Sequence, residues 1–190
     1  MTLRTVLALA TAGTTLLALA SCGGGSFTPR VSPPAGHSLP PRPATLRIES
    51  IDPCTLLTPT QYQQLGIDPG RRNDNTPDDP MKGAACEWST TKAHQRIGYG
   101  GSLVTNRGAE YALGAEPLRA VGGYAATTTG SALSDPQWYC AMLVDVAPGQ
   151  SLLVDYSVES EDVPGMTHQK ACDNAQTAAG FMLANLKAAQ

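Results

Sequence analysis

Cysteine is the residue type whose number and spacing say most about the chemistry of this chain. The five cysteines are Cys22, Cys54, Cys86, Cys140 and Cys172. The first of them follows a positively charged start and an uncharged run rich in Leu, Ala and Val, which ends in small residues. This arrangement is typical of a secretory signal, so we expect residues 1–21 to be a signal peptide.

The residues around the signal's end indicate a lipid anchor. Leu19-Ala20-Ser21-Cys22 matches a bacterial lipobox, in which the cysteine is acylated, for example with palmitate, and begins the mature chain. The alternative is an ordinary cleavable signal in which Cys22 has no role. Without Cys22, four cysteines remain and can pair completely, which favours lipidation. We therefore expect a lipid-anchored protein on the extracytoplasmic face of the cell membrane.

The four remaining cysteines allow three disulfide connectivities. Cys86 and Cys140 lie in predicted strands, whereas Cys54 and Cys172 lie beside predicted helix starts. Pairing like with like predicts the bonds Cys54–Cys172 and Cys86–Cys140. The main alternative is Cys54–Cys86 together with Cys140–Cys172.

Motifs for catalysis, metal binding or cofactor binding are not assembled in this sequence. The histidines are His37, His94 and His168, and none has the spacing of a zinc site. Ser89-Thr90-Thr91-Lys92 fits the Ser-x-x-Lys motif of penicillin-binding enzymes, but it follows a predicted strand and has no companion Lys-Thr-Gly. Gly98-Tyr99-Gly100-Gly101 lacks the third glycine of a dinucleotide fingerprint and is interpreted as a bulge or bend. We expect no catalytic residue, metal or cofactor.

Two acidic groups and one aromatic group are weaker candidates. The acidic groups are Asp74, Asp78 and Asp79, and Asp155, Glu159, Glu161 and Asp162. The first could collect Ca²⁺, but both are interpreted as solvated acidic segments because neither has an EF-hand pattern. The aromatic group is Trp88, Trp138 and Tyr139. It could stack on a sugar or lipid, but core positions are favoured.

Composition divides the chain into a tether and a domain. Residues 22–47 hold the acylated cysteine and a Gly- and Pro-rich stretch, which cannot bury enough apolar surface to fold. Residues 48–190 form the predicted globular domain. The net charge of −3 argues against a nucleic-acid partner.

The order of predicted elements indicates an α+β fold. Thr58-Pro59-Thr60-Gln61 has the residues of a helix cap, which predicts a short helix at 59–65. Residues with a period of two predict strands at 84–89, 96–105, 124–129, 138–146 and 151–158. A helical period returns at Thr167. We expect an antiparallel sheet with a short N-terminal and a longer C-terminal helix packed on it.

Four of the cysteines belong to a set of short motifs: Asp52-Pro53-Cys54-Thr55-Leu56-Leu57-Thr58, Cys86-Glu87-Trp88, and the later Cys140 and Cys172. In these motifs the domain resembles a family of actinobacterial secreted lipoproteins of unknown function. The resemblance implies an envelope-tethered domain with two disulfides and assigns no catalytic residue.

The function favoured by these features is a non-enzymatic, lipid-anchored binding or accessory module of the cell envelope. Its partners would be the membrane, through Cys22, and an envelope protein or a small apolar or glycan ligand. The alternative is a small extracytoplasmic hydrolase or transferase that acts on envelope material. A polar cleft that joins His94 or His168 to a carboxylate would favour the enzyme, and an open apolar groove would favour the binder.

Overall fold

The computed structural model describes residues 38–74, 80–92, 95–129, 139–159 and 164–190. The chain divides into two units, Met1–Pro33 and Pro34–Gln190, and every described residue belongs to the second. Several residues singled out in the sequence lie outside the described ranges: Cys22, His37, His94, Asp78, Asp79, Trp138, Glu161 and Asp162.

Within the ranges that the structure describes, seven strands form one antiparallel sheet. They are β1 (Arg71–Arg72), β2 (Gly83–Lys92), β3 (Gln95–Val104), β4 (Arg119–Val121), β5 (Tyr124–Thr129), β6 (Tyr139–Ala147) and β7 (Gln150–Glu159). Their order across the sheet is β1-β2-β3-β7-β6-β5-β4. Three hairpins, β2–β3, β4–β5 and β6–β7, are therefore joined in one layer, and β3 pairs directly with β7. The predicted α+β class is confirmed.

In the described residues, two α-helices and two short 3₁₀-helices accompany the sheet. The α-helices are α1 (Pro59–Leu65) and α2 (His168–Ala188), and the 3₁₀-helices span Pro53–Thr55 and Ala109–Ala112. The predicted cap of α1 is confirmed: Thr58 and Gln61 exchange side-chain to backbone hydrogen bonds, and Gly66 ends the helix at φ 70°. In the described part of the chain, no helix has the length and hydropathy needed to cross a bilayer.

Helix α2 covers one face of the sheet and forms the main core with it. The strand residues on that face are apolar and alternate along β6 and β7: Cys140, Met142, Val144, Val146, Leu152, Val154, Tyr156 and Val158. Half of the buried residues of α2 are alanine, which lets the helix lie close to the strands. Gly101 permits the same close approach, because a Cβ there would lie 2.9 Å from Met182 Sδ. The predicted hairpin faces and the C-terminal helix are confirmed.

Residues assigned to the tether from the sequence make contacts with the sheet. Arg42 donates two hydrogen bonds to Asp145 on β6, from Nη2 at 2.7 Å and from Nε at 3.1 Å. Leu46 is buried, and its backbone N–H donates to the carbonyl of Val146 at 2.9 Å. These contacts begin upstream of Ile48, where the sequence places the start of the domain.

The two disulfides are Cys54–Cys86 and Cys140–Cys172, so the predicted pairing of like with like is wrong. Two strands, β3 and β7, separate Cys86 on β2 from Cys140 on β6. At the usual spacing of strands, this places the two cysteines about 14 Å apart, which is too far for a disulfide. The first bond instead ties a 3₁₀-helix to β2, and the second ties α2 to β6.

Candidate functional site

The face of the sheet opposite α2 is only partly covered. At one end, Ala109, Ala112 and Leu143 form a small second cluster, with Leu39, Met81 and Leu153 packed against it. Beyond this cluster, the middle of the sheet carries a groove of about 180 Å³ across β2, β3 and β7. Its side chains come from alternate positions of the strands, the positions that point away from α2.

Glycines of β3 form the floor of this groove. Gly98 pairs with Ser157, and Gly100 pairs with Asp155, in a register without a bulge. A Cβ at Gly100 would overlap the Asp155 carboxylate, and a Cβ at Gly98 would lie 3.0 Å from Ser157 Oγ. The predicted bulge or bend is therefore wrong, because these glycines provide space beside neighbouring side chains while the strand stays regular.

Asp155 lines this groove together with a second carboxyl group, that of Glu87. Burial, together with the negative charge of Glu87 on β2, raises the pKa of the Asp155 carboxyl to about 6. A hydrogen bond from the Gly100 N–H opposes this shift but does not cancel it. On β6, burial raises the pKa of Tyr139, and the charge of Asp155 adds to the effect. Asp155 is therefore a desolvated carboxyl and not the solvated acid expected from the sequence.

Glu87 borders the groove and has its own partners. Its Oε1 accepts a hydrogen bond from Arg96 at 3.1 Å, and its Oε2 accepts one from Asn73 at 3.3 Å. Arg96 also lies 3.5 Å from Glu159. The positive charge of Arg96 is thus shared between two carboxylates other than Asp155.

A second groove of about 250 Å³ lies next to the first and shares Glu87 with it. It is lined by Asp68, Pro69, Arg71, Glu87, Ser89, Thr90 and Thr91. The two grooves are polar and expose few apolar side chains. The apolar groove that would favour an apolar ligand is not found on this part of the described surface.

A separate polar cluster surrounds the Cys140–Cys172 disulfide. His168 Nε2 lies 2.9 Å from Glu116 Oε1 and 3.5 Å from Cys172 Sγ. Burial opposes ionisation of Glu116, but hydrogen bonds from Thr128 and His168 outweigh it and lower the pKa of this carboxyl. His168 therefore has a carboxylate partner, as the enzyme hypothesis requires, but neither residue lines the two grooves described above.

The same cluster contains the residues that come closest to a metal site. Among the described residues, the ligand atoms of Cys140, His168 and Cys172 lie within 4.8 Å of one another. Both sulfurs are joined in the disulfide. As long as this bond is intact, neither can act as the thiolate that a zinc site needs.

Comparison with protein families identifies one family that matches this chain. A family described as "Protein of unknown function (DUF3558)" matches residues 17–185, most of the chain. The chain belongs to the DUF3558 family. No curated protein and no solved structure matches it. The DUF3558 match agrees with the resemblance to an uncharacterised family and assigns no activity to the grooves.

The other candidates from the sequence have structural roles. Ser89 lies inside β2 and does not begin a helix, so it does not fit the Ser-x-x-Lys motif. Asp74 accepts hydrogen bonds from the Ala85 N–H and from Arg72, and these bonds lower its pKa. Trp88 is fully buried in the core, whereas Tyr139 lies on the open face, so the two do not form one stacking platform.

Sequence reasoning missed most of the residues that line the groove. In the sequence, Glu87 stands out only as part of the Cys86-Glu87-Trp88 motif, and Asn73, Ser102 and Ser157 belong to no motif. The available signal was the pair Gly98 and Gly100, which share one face of a strand two residues apart. Glycines at such positions leave a depression on that face.

Proposed function

We propose that this protein is a lipid-anchored, non-enzymatic module of the cell envelope, which binds a polar ligand in the groove around Asp155. The observation that carries the proposal is a partly buried carboxyl above a glycine floor, on a sheet face that α2 leaves open. The groove is smaller than the 300–1,000 Å³ typical of sites that enclose a whole ligand. Its size therefore suits a terminal group of a larger envelope molecule. Because its lining is polar, that molecule is more readily a glycan than an apolar ligand.

The anchor belongs to the same proposal. The lipobox residues before Cys22 and the actinobacterial resemblance support acylation at this cysteine. Acyl chains would hold the protein at the membrane and leave the domain in reach of envelope material.

Replacing Cys22 by alanine is expected to move the protein from the membrane fraction to the soluble fraction, because the chain then lacks its acyl chains. Immunoblots of carbonate-washed membranes measure the distribution, and Cys54→Ala/Cys86→Ala serves as a control that keeps the anchor. Retention of Cys22→Ala in the washed membranes would contradict the anchor.

Ligand binding is tested with a water-soluble extract of the cell envelope. We expect the extract to shift the amide resonances of Gly98 and Gly100 in ¹⁵N-labelled protein that carries Cys22→Ala, since both amides lie in the floor of the groove. If the shifted resonances lie elsewhere, or none shift, the groove is not the binding site.

The alternative function is a hydrolase or transferase. It is favoured by Asp155 and Glu87, because a carboxyl with a raised pKa beside a second carboxylate is the arrangement used for general acid–base catalysis. Mass spectrometry of the extract before and after incubation separates the two functions. A binder leaves the composition unchanged, whereas an enzyme converts a component.

A further inference from the structure

The open face of the sheet carries two aspartates with different partners. Asp145 on β6 is 2% exposed, and the guanidinium of Arg42 binds both of its carboxylate oxygens. Asp155 on β7 points to the same face but receives a backbone N–H from Gly100. Among the described residues, no lysine or arginine forms an ion pair with Asp155, and Arg96 is bound to Glu87 and Glu159.

This difference indicates which chemical group the groove lacks. A carboxylate taken out of water is costly unless a cation or several donors compensate it. Arg42 provides that compensation to Asp145 from within the chain. At Asp155 the carboxylate itself packs over Gly100, and a groove of about 180 Å³ lies open beside it.

We propose that the groove binds its ligand through a protonated amine. This amine pairs with the Asp155 carboxylate as the Arg42 guanidinium pairs with Asp145. This inference rests on the proposed function of the groove. An ammonium group offers three donors, and the groove offers acceptors besides Asp155 in the hydroxyls of Ser102 and Ser157. The ligand class is therefore a molecule with a free primary amine, such as an amino sugar or a lysine-type side chain.

A metal ion fits the groove less well than an amine. Among the described residues, no third His, Cys, Asp or Glu lies close enough to Asp155 and Glu87 to complete a group of three ligands. Glu87 already binds Arg96 and Asn73. The acceptors that remain suit a singly charged hydrogen-bond donor.

The test uses four probes in two matched pairs, added to ¹⁵N-labelled protein that carries Cys22→Ala. The amines are glucosamine and Nα-acetyl-lysine, and their neutral partners are N-acetylglucosamine and Nα,Nε-diacetyl-lysine. We expect at least one amine to shift the Gly98 and Gly100 resonances, and its acetylated partner to leave them in place. The pair that responds distinguishes an amino sugar from a lysine-type amine.

Two variants locate the interaction. Asp155→Asn keeps the shape of the side chain and is expected to weaken binding of the responding amine at least tenfold. Glu159→Gln removes the same charge from an exposed position on the same strand and is expected to bind as the parent does.

Three results would overturn the inference: equal shifts with an amine and its acetylated partner, no shift with either amine, or full binding by Asp155→Asn. The envelope extract separates these failures from failure of the proposed function. If the extract shifts the glycine resonances both before and after its amines are blocked with acetic anhydride, the groove binds envelope material but does not recognise an amine. If the untreated extract leaves them in place, the proposed function fails as well.

Discussion

Removal of either disulfide is expected to lower the free energy of unfolding by about 3–4 kcal/mol. Each bond joins cysteines that are 32 residues apart, so each restricts the unfolded chain to a similar extent. The variants are Cys54→Ala/Cys86→Ala and Cys140→Ala/Cys172→Ala, made in protein that carries Cys22→Ala so that no other thiol is present. Urea unfolding followed by circular dichroism measures the change.

The equal loop lengths make each variant a control for the other. A difference between them reports the packing around the bond, since the contribution of chain entropy is the same. Cys140 and Cys172 are each 1% exposed, whereas Cys54 is only partly buried, so the second variant is expected to lose more. A loss below about 1 kcal/mol in both variants would contradict the account of the disulfides as the main covalent restraint on unfolding.

Asp155→Asn is expected to raise the free energy of unfolding at pH 8 by about 2–3 kcal/mol. In the folded protein the pKa of Asp155 is raised to about 6, mainly by burial. In the unfolded chain, where the carboxyl is not buried, its pKa lies near the ordinary value of 3.8. Between these values the folded state holds a proton that the unfolded state has lost. The contribution of Asp155 is therefore most favourable below about pH 4 and is lost as the pH rises through 6.

Unfolding curves at a series of pH values measure this effect. In the parent protein, the contribution of Asp155 to the free energy of unfolding decreases between about pH 4 and 6. In Asp155→Asn this pH-dependent decrease is absent. Glu159→Gln is the control, because its side chain is 67% exposed and its removal is expected to change stability by less than about 0.5 kcal/mol. Equal stability of Asp155→Asn and the parent at pH 8 would show that the carboxyl is not desolvated.

A stabilising Asp155→Asn substitution would also bear on function. A residue that lowers stability in the free protein is often kept for its role in binding or catalysis. The same variant is expected to lose the amine ligand, so stability and binding should change in opposite directions.

Local sequence patterns predicted the elements of this fold well. The capping residues Thr58 to Gln61 marked the start of α1, and the alternation from Trp138 to Val158 placed the β6–β7 hairpin and its buried face. These signals depend on residues close together in the chain, where periodicity and caps act directly. The short strands β1 and β4 have too few residues to show a period and were missed.

The order of the strands could not be read from the same patterns. The pairing of β3 with β7 joins segments that lie far apart in the sequence, and no local signal distinguishes it from other antiparallel arrangements. The wrong disulfide pairing follows from this gap, because it assumed that the strands of Cys86 and Cys140 were neighbours. The groove could not be predicted for the same reason, because it depends on the order of the strands. Glu87, Gly100 and Asp155 meet only when β2, β3 and β7 lie side by side.

The pairing of the cysteines in chain order affects how the protein acquires its covalent structure. A chain that emerges N-terminus first presents Cys54 and Cys86 together before Cys140 appears, and Cys140 and Cys172 follow as a second pair. If Cys22 is acylated as proposed, an oxidase that acts on the remaining thiols in their order of appearance forms both native bonds directly. Oxidative maturation of this chain then requires no isomerase to exchange bonds made too early.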